Sequence, residues 1–232
     1  MGLWVNVGPV TIRGVLFDFS GTLFRLELGD NWLDGLMDDA AAADLLRQLT
    51  APTGRLEGLP PELHEAWDRR DLDPDLHREV HLAALANIGV PDAALAGKVY
   101  DRLLEPASWQ AYPDTAAVLG ELKAAGYPVG VLSNIAWDIR TVFDRHGVAG
   151  LPDEYVLSYV EGRVKPDPEL FRTGCARLGL DPAEVLMIGD SQEADGGATA
   201  IGCAFALVPP LPTIERPDAL RSVLREHGLL PA

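Results

Sequence analysis

The chain is short of positive charge. Its 232 residues carry 19 lysines and arginines against 35 aspartates and glutamates, only three of the 19 being lysine, for a formal charge of −16. A duplex nucleic acid or an anionic bilayer requires a positive footprint, so neither fits as a general partner. An anionic substrate must instead be held by a few local cations or a metal ion. Cysteine is nearly absent as well. Cys175 and Cys203 are too few for a disulfide framework and are expected as buried small filler in a reducing compartment. No apolar stretch approaches the roughly 20 residues of a membrane span. Residues 1–10 show no cationic segment leading into an apolar run, and Asn6 stands where a myristoylation site needs Ser or Thr. These absences predict a cytoplasmic protein with no nucleic-acid and no membrane partner, and they leave its oligomeric state open.

What is present is enough apolar material, 47 %, to build one large core or a core with an insertion. Strand-like runs occupy residues 12–19, 128–133, 154–159, 185–189 and 204–208. Helical patterns separate them, among them 115–125, opened by Asp114 as a cap, and 168–178, with an amphipathic segment at 217–228. Alternating strands and helices imply an α/β fold: a Rossmann-like parallel sheet with helices on both faces. The interval from Phe24 to about Gln110 differs. It carries helix patterns at 40–49, 61–70, 76–88 and 93–104 and no convincing strand. That is far too long for one crossover. It predicts a helical cap domain at 24–110 inserted into a core formed by 1–23 and 111–232. The acidic run at 34–44 is expected as a solvated helix start.

Four strand ends carry the chemistry. The first, Gly14-Val-Leu-Phe-Asp18-Phe-Ser20-Gly21-Thr22, delivers a carboxylate into a turn. The second, Val129-Gly-Val-Leu-Ser133-Asn134, ends in a hydroxyl and an amide. In the third, Gly162-Arg-Val-Lys165-Pro166-Asp-Pro168, one of the three lysines is framed by prolines. The fourth, Val185-Leu-Met-Ile-Gly189-Asp190-Ser191, gives a second carboxylate, and Asp195 follows five residues later. Each signal alone is modest, since such groups often only cap the next helix. A parallel sheet, however, gathers its carboxyl ends in one crevice. Carboxylates with a backbone carbonyl suit a hard ion such as Mg²⁺, which also accepts substrate phosphate. Lysine, hydroxyl and helix-terminal N–H groups can hold the remaining phosphate oxygens.

In order and spacing these four motifs resemble those of the haloacid dehalogenase-like hydrolase superfamily, in the subfamily with a helical cap between its first and second motifs. The resemblance implies that Asp18 is a nucleophile forming an aspartyl-phosphate. It implies that Ser133 and Asn134 bind the transferring group, with the Gly21-Thr22 turn helping through its backbone, and that Lys165 steadies its charge. It also implies that Asp18, the Ser20 carbonyl and Asp190 form a Mg²⁺ site, with Asp195 a further ligand or a supporting carboxylate, and that the substrate is a small phosphorylated metabolite.

Ser20 departs from the pattern. The superfamily's phosphatases place a second aspartate there, as general acid and base. Serine keeps the carbonyl but cannot transfer protons near pH 7, and losing such a group typically removes roughly 10²–10⁴ in rate. The leading expectation is a Mg²⁺-dependent phosphatase or phosphotransferase with weakened acid–base catalysis. His64, His77 and His81 are candidate replacements from the cap, although each lies on a helix pattern where a surface position is the ordinary outcome. The alternatives are a 2-haloacid dehalogenase-like enzyme, against which Asp190 stands, and a catalytically impaired protein that binds phosphate esters for regulation. A phosphonatase-like enzyme needs a reactive cap lysine, and Lys98 reads as solvated. Arg25, Trp32, Trp67, Arg69 and Arg70 are placed where they could face a ligand.

Overall fold

The computed structural model describes residues 11–27, 38–49, 58–88, 90 and 92–231. The segment 1–10, Trp32 and the start of the acidic run lie outside the described residues. The elements in chain order are β1 (Gly14–Phe17), β2 (Phe24–Leu26), α1 (Asp39–Leu49), α2 (His64–Arg69), α3 (Pro74–Asn87), α4 (Ala93–Leu104) and β3 (Trp109–Ala111). There follow α5 (Thr115–Ala124), β4 (Val129–Ser133), α6 (Arg140–Arg145), β5 (Glu154–Leu157), α7 (Ser158–Glu161), α8 (Pro168–Arg177), β6 (Val185–Gly189), β7 (Ala204–Leu207) and α9 (Ala219–Glu226).

Five strands form a parallel sheet in the order β5-β4-β1-β6-β7. The strand carrying the first motif is therefore central, and the strands of the second and fourth motifs are its two neighbours. Central strands covered on both faces must be apolar throughout, and β1, β4 and β6 are buried at every residue. Alternation along β1 divides the core: Val15 and Phe17 join one apolar cluster with residues of α5, α6 and α9, while Leu16 joins another with Phe171 and Cys175 of α8. Cys175 and Cys203 are both buried, as expected.

Helix starts follow their caps. Asp73 accepts from the N–H groups of Asp75 and Leu76 at 2.9 Å, Asp92 from Leu95 at 2.7 Å, and Asp167 from Glu169 at 2.9 Å. Asp114 is different. Its side chain does not cap α5; its Oδ2 accepts from the Arg221 N–H at 3.0 Å, in the first turn of α9, so an acid adjoining one helix caps another. Leu220 and Leu224 bury the inner face of α9.

The long interval between β1 and β4 does contain strands. β2 and β3 pair antiparallel, Phe24 opposite Ala111 and Leu26 opposite Trp109, and helices α1 to α4 lie between them. Each strand is three residues long and the pairing spans most of the insertion, so no local alternation announces it. The chain thus enters and leaves the helical segment through one two-stranded ribbon. Leu16, fully buried between sheet and α8, reports on this core. Leu16→Ala is expected to cost about 3 kcal/mol, seen as a lower denaturant midpoint at an unchanged slope.

Candidate active site

β1, β4 and β6 end at one edge, and the turns leaving them bring the motif residues together. Asp18 follows β1 directly, its N–H donating to the Ile188 carbonyl at 2.9 Å, which fixes it against β6. The Lys165 ammonium donates to Asp18 Oδ1 and to Asp195 Oδ1, each at 2.6 Å, and to the Leu132 carbonyl at 3.3 Å. Asn134 secures the backbone of that lysine: its Oδ1 accepts from the Lys165 N–H at 2.7 Å and its Nδ2 donates to the Lys165 carbonyl at 3.1 Å. Asp195 turns back toward β6, where its Oδ2 accepts from the Ser191 N–H at 2.9 Å.

Two glycines make this approach sterically possible. A Cβ on Gly189 would lie 2.1 Å from Asp195 Oδ2, and one on Gly21 would lie 2.2 Å from Asp190 Oδ2. Gly21 also has φ +75°, a conformation that glycine adopts freely. The first-motif turn is held from behind by Arg216, which is buried over the Tyr112 ring. It donates to the Gly21 carbonyl at 2.7 Å and to the Thr22 carbonyl. Arg216 had no sequence signal beyond its place before a proline.

One oxygen from each of Asp18, Asp190 and Asp195 lies within 4.8 Å of the others. Three carboxylates against one ammonium leave the set short of positive charge. Asp190 is accordingly pushed up to about 8, by burial first and then by Asp18 and Asp195. Asp18 is raised to about 6 by burial, with Lys165 opposing and Asp195 adding. Burial works against the Lys165 charge, but Asp18 and Asp195 outweigh it and raise the ammonium pKa. The set could hold a hard, oxygen-preferring cation.

Above this edge lies a cavity of about 850 Å³ walled on both sides. Asp18, Ser20, Ser133, Asn134, Lys165 and Asp190 line the sheet side, and Trp67, Arg70, Asp71, His77 and His81 line the helical side. Ser20 is exposed to it. The remaining motif residues stand back: Asp195 and Thr22 are 0 % exposed, and Gly21 does not line the cavity. Of the other residues weighed from sequence, Trp67 and Arg70 face the cavity, with the guanidinium 4.5 Å from the indole centre. Arg69 is exposed, Arg25 donates to the Pro210 carbonyl, and Lys98 is exposed.

The histidines correct the surface expectation. His77 and His81 are buried, with ring centres 4.0 Å apart, His77 Nδ1 lying 2.8 Å from the Tyr100 hydroxyl. His81 Nδ1 donates to the His77 carbonyl at 2.7 Å. His64 is half-buried against the Leu59 carbonyl. Positions 77, 80, 81, 84 and 85 form one helical face, a stripe that the sequence does show once histidine is allowed to be apolar. Asp71, buried at the same wall, was missed altogether.

A parallel sheet that delivers two lysine-paired carboxylates and a third acid to one edge, beneath a helical insertion, places the chain in the Rossmann-like α/β class. The family model described as haloacid dehalogenase-like hydrolase matches residues 12–200, and the chain belongs to that family. A mouse protein, haloacid dehalogenase-like hydrolase domain-containing protein 3, is 31 % identical over 160 residues, 67 % of this chain and 63 % of that one. The glyceraldehyde 3-phosphate phosphatase of Methanothermobacter thermautotrophicus is 26 % identical over 227 residues, 94 % and 93 % of the two chains. The L-2-haloacid dehalogenase of Xanthobacter autotrophicus, solved with chloropropionic acid covalently bound, is 25 % identical with a TM-score of 0.62, covering 95 % of this chain and 85 % of that one. The chain spans between 41 % and 63 % of the length of four curated relatives that it matches. Its relatives thus include both phosphatases and haloacid dehalogenases.

Two outcomes follow from these electrostatics. Lys165→Met leaves Asp18 and Asp195 buried without their cation, and in metal-free buffer it should lower unfolding stability at pH 7 by about 3 kcal/mol. Burial, with neighbouring His81 and Arg70, holds His77 down at about 2. Burial and Arg70, against the bond to the His77 carbonyl, hold His81 at about 4. The unfolded chain then binds protons at these rings from pH 6.5 downward while the folded one does not. The pair therefore removes stability as pH falls, the His81 share between 6.5 and about 4. Urea titrations at pH 7, 6 and 5 should give a flatter stability profile for His81→Gln than for wild type.

Proposed function

We propose that the protein is a Mg²⁺-dependent phosphatase or phosphotransferase acting on a small phosphorylated metabolite. The carrying observation is the trio Asp18, Asp190 and Asp195, with oxygens within 4.8 Å of one another beside Lys165. The donor chemistry fits the ion. Asp18, Asp190, Asp195 and the Ser20 carbonyl would hold it, and when bound it supplies the positive charge that these acids and a phosphoryl group together require.

The chain's own residues do the rest. Asp18, at the end of the central strand, presents a carboxylate oxygen as nucleophile and accepts the phosphoryl group. Lys165, held by Asn134, keeps an ammonium beside that carboxylate and offsets the charge of the transferring oxygens. The Ser133 hydroxyl lines the cavity close by and orients the same group. We assign residues 24–110 as the cap and the two flanking segments as the core, the cap shielding the reaction from bulk water and meeting the leaving group.

With 4-nitrophenyl phosphate, turnover should require Mg²⁺, vanish in EDTA and return on Mg²⁺ addition. Asp18→Asn should lower kcat by roughly 10³-fold or more. No turnover by wild type at substrate saturation would overturn the assignment. Ser20 favours a second reading, displacement of halide from a 2-haloacid by Asp18. Asp18 and Asp190 facing a carboxylate substrate disfavour it, and chloride release from 2-chloropropionate without Mg²⁺ would establish it instead.

A further inference from the structure

The serine at position 20 leaves a proton-transfer role without a carboxyl at the sheet edge, and the cavity wall opposite supplies one. Apart from Asp18 and Asp190 at the edge, the acids lining the cavity among the described residues are Asp68, Asp71 and Glu193. Asp68 and Glu193 are exposed, whereas Asp71 is 8 % exposed. The histidines of the same wall are poor proton donors: both rings are neutral at pH 7, and each Nδ1 is already engaged.

Asp71 is anchored to the core through its backbone. Its backbone carbonyl accepts from the Ser158 hydroxyl of the core at 2.6 Å. The Ser158 oxygen in turn accepts from the Ile135 N–H at 2.8 Å, in the residue after Asn134. The short helical turn 70–72 is thereby tied to the second-motif loop. The Asp71 carboxyl lies 3.4 Å from Arg70 Nη2 and 3.9 Å from His77 Nε2, and it accepts no hydrogen bond among the described residues. It is fixed by its backbone and left open toward the cavity.

We propose that Asp71 is the general acid and base of this enzyme, supplied by the helical insertion in place of the carboxyl that Ser20 lacks. The inference rests on the phosphatase reading. As the Asp18 oxygen bonds to phosphorus and the ester P–O bond breaks, the Asp71 carboxyl gives its proton to the departing alkoxide. In the second half, the Asp71 carboxylate takes a proton from water whose oxygen attacks phosphorus. That step releases phosphate, frees Asp18 and returns Asp71 to its protonated form. Burial raises the Asp71 pKa, with Arg70 and Lys165 opposing, which favours the protonated form that the first half needs.

The test compares kcat/KM of the Mg²⁺-loaded protein for 4-nitrophenyl, phenyl and glyceryl phosphates in wild type, Asp71→Asn, Ser20→Asp and the double variant. A good leaving group needs little protonation. Asp71→Asn should therefore cost roughly 10²-fold on the glyceryl ester and less than about 10-fold on the nitrophenyl ester. In the Ser20→Asp background the same substitution should cost less than about threefold, because a second carboxyl then stands at the edge. Activity of that double variant also shows that the insertion still folds. A uniform loss across the three esters, no loss at all, or an undiminished loss beside Ser20→Asp would overturn the role of Asp71 while leaving the phosphatase reading intact. Absence of turnover in wild type would overturn both.

Discussion

The active centre depends on one ammonium shared by two carboxylates. Buried charges are tolerated only when paired and hydrogen-bonded, and Lys165 meets that condition with Asp18 on one side and Asp195 on the other. The surrounding chain preserves the arrangement. Asn134 closes both backbone groups of the lysine, Gly189 leaves room for Asp195, and Ser191 satisfies its second oxygen. Asp190 is the member without that ammonium at hydrogen-bond distance, and burial, then Asp18 and Asp195, push its carboxyl up to about 8. The lysine stabilises two acids and leaves the third dependent on whatever enters the cavity.

The opposite wall obeys different physics. Trp67 and the neutral rings of His77 and His81 pack together there, with Arg70 lying over the indole and 3.4 Å from the Asp71 carboxyl. The lysine-paired acids thus sit at the sheet edge, and the helical side offers aromatic and imidazole surface beside Arg70 and Asp71. The two walls meet through Ser158, whose hydroxyl bridges the second-motif loop and the 70–72 turn.

The parts legible in the sequence are those where local pattern and tertiary demand coincide. Apolar runs ending in Asp18, Ser133 and Asp190 mark the strands and their functional ends, because a strand buried on both faces cannot carry those residues earlier. The helix patterns at 76–88, 93–104 and 168–178 locate α3, α4 and α8 for an equally local reason. What escaped depends on distant partners. β2 and β3 are recognisable only from each other, Asp114 serves a helix about a hundred residues away, and Arg216 reaches back to the turn at Gly21. His77, His81 and Asp71 escaped because polar residues on a helical pattern read as solvated until a second wall encloses them. The cavity, not the helix, decides their environment.

The ribbon of β2 and β3 has a consequence for how such a molecule diversifies. Its two strands run side by side, roughly 5 Å apart, so the five-stranded sheet meets everything between them as a single loop. Lengthening, trimming or exchanging that loop leaves the register of every parallel strand untouched. The acids gathered at the sheet edge and the helical surface facing them are therefore separable inheritances, with a ribbon of three-residue strands leading from one to the other.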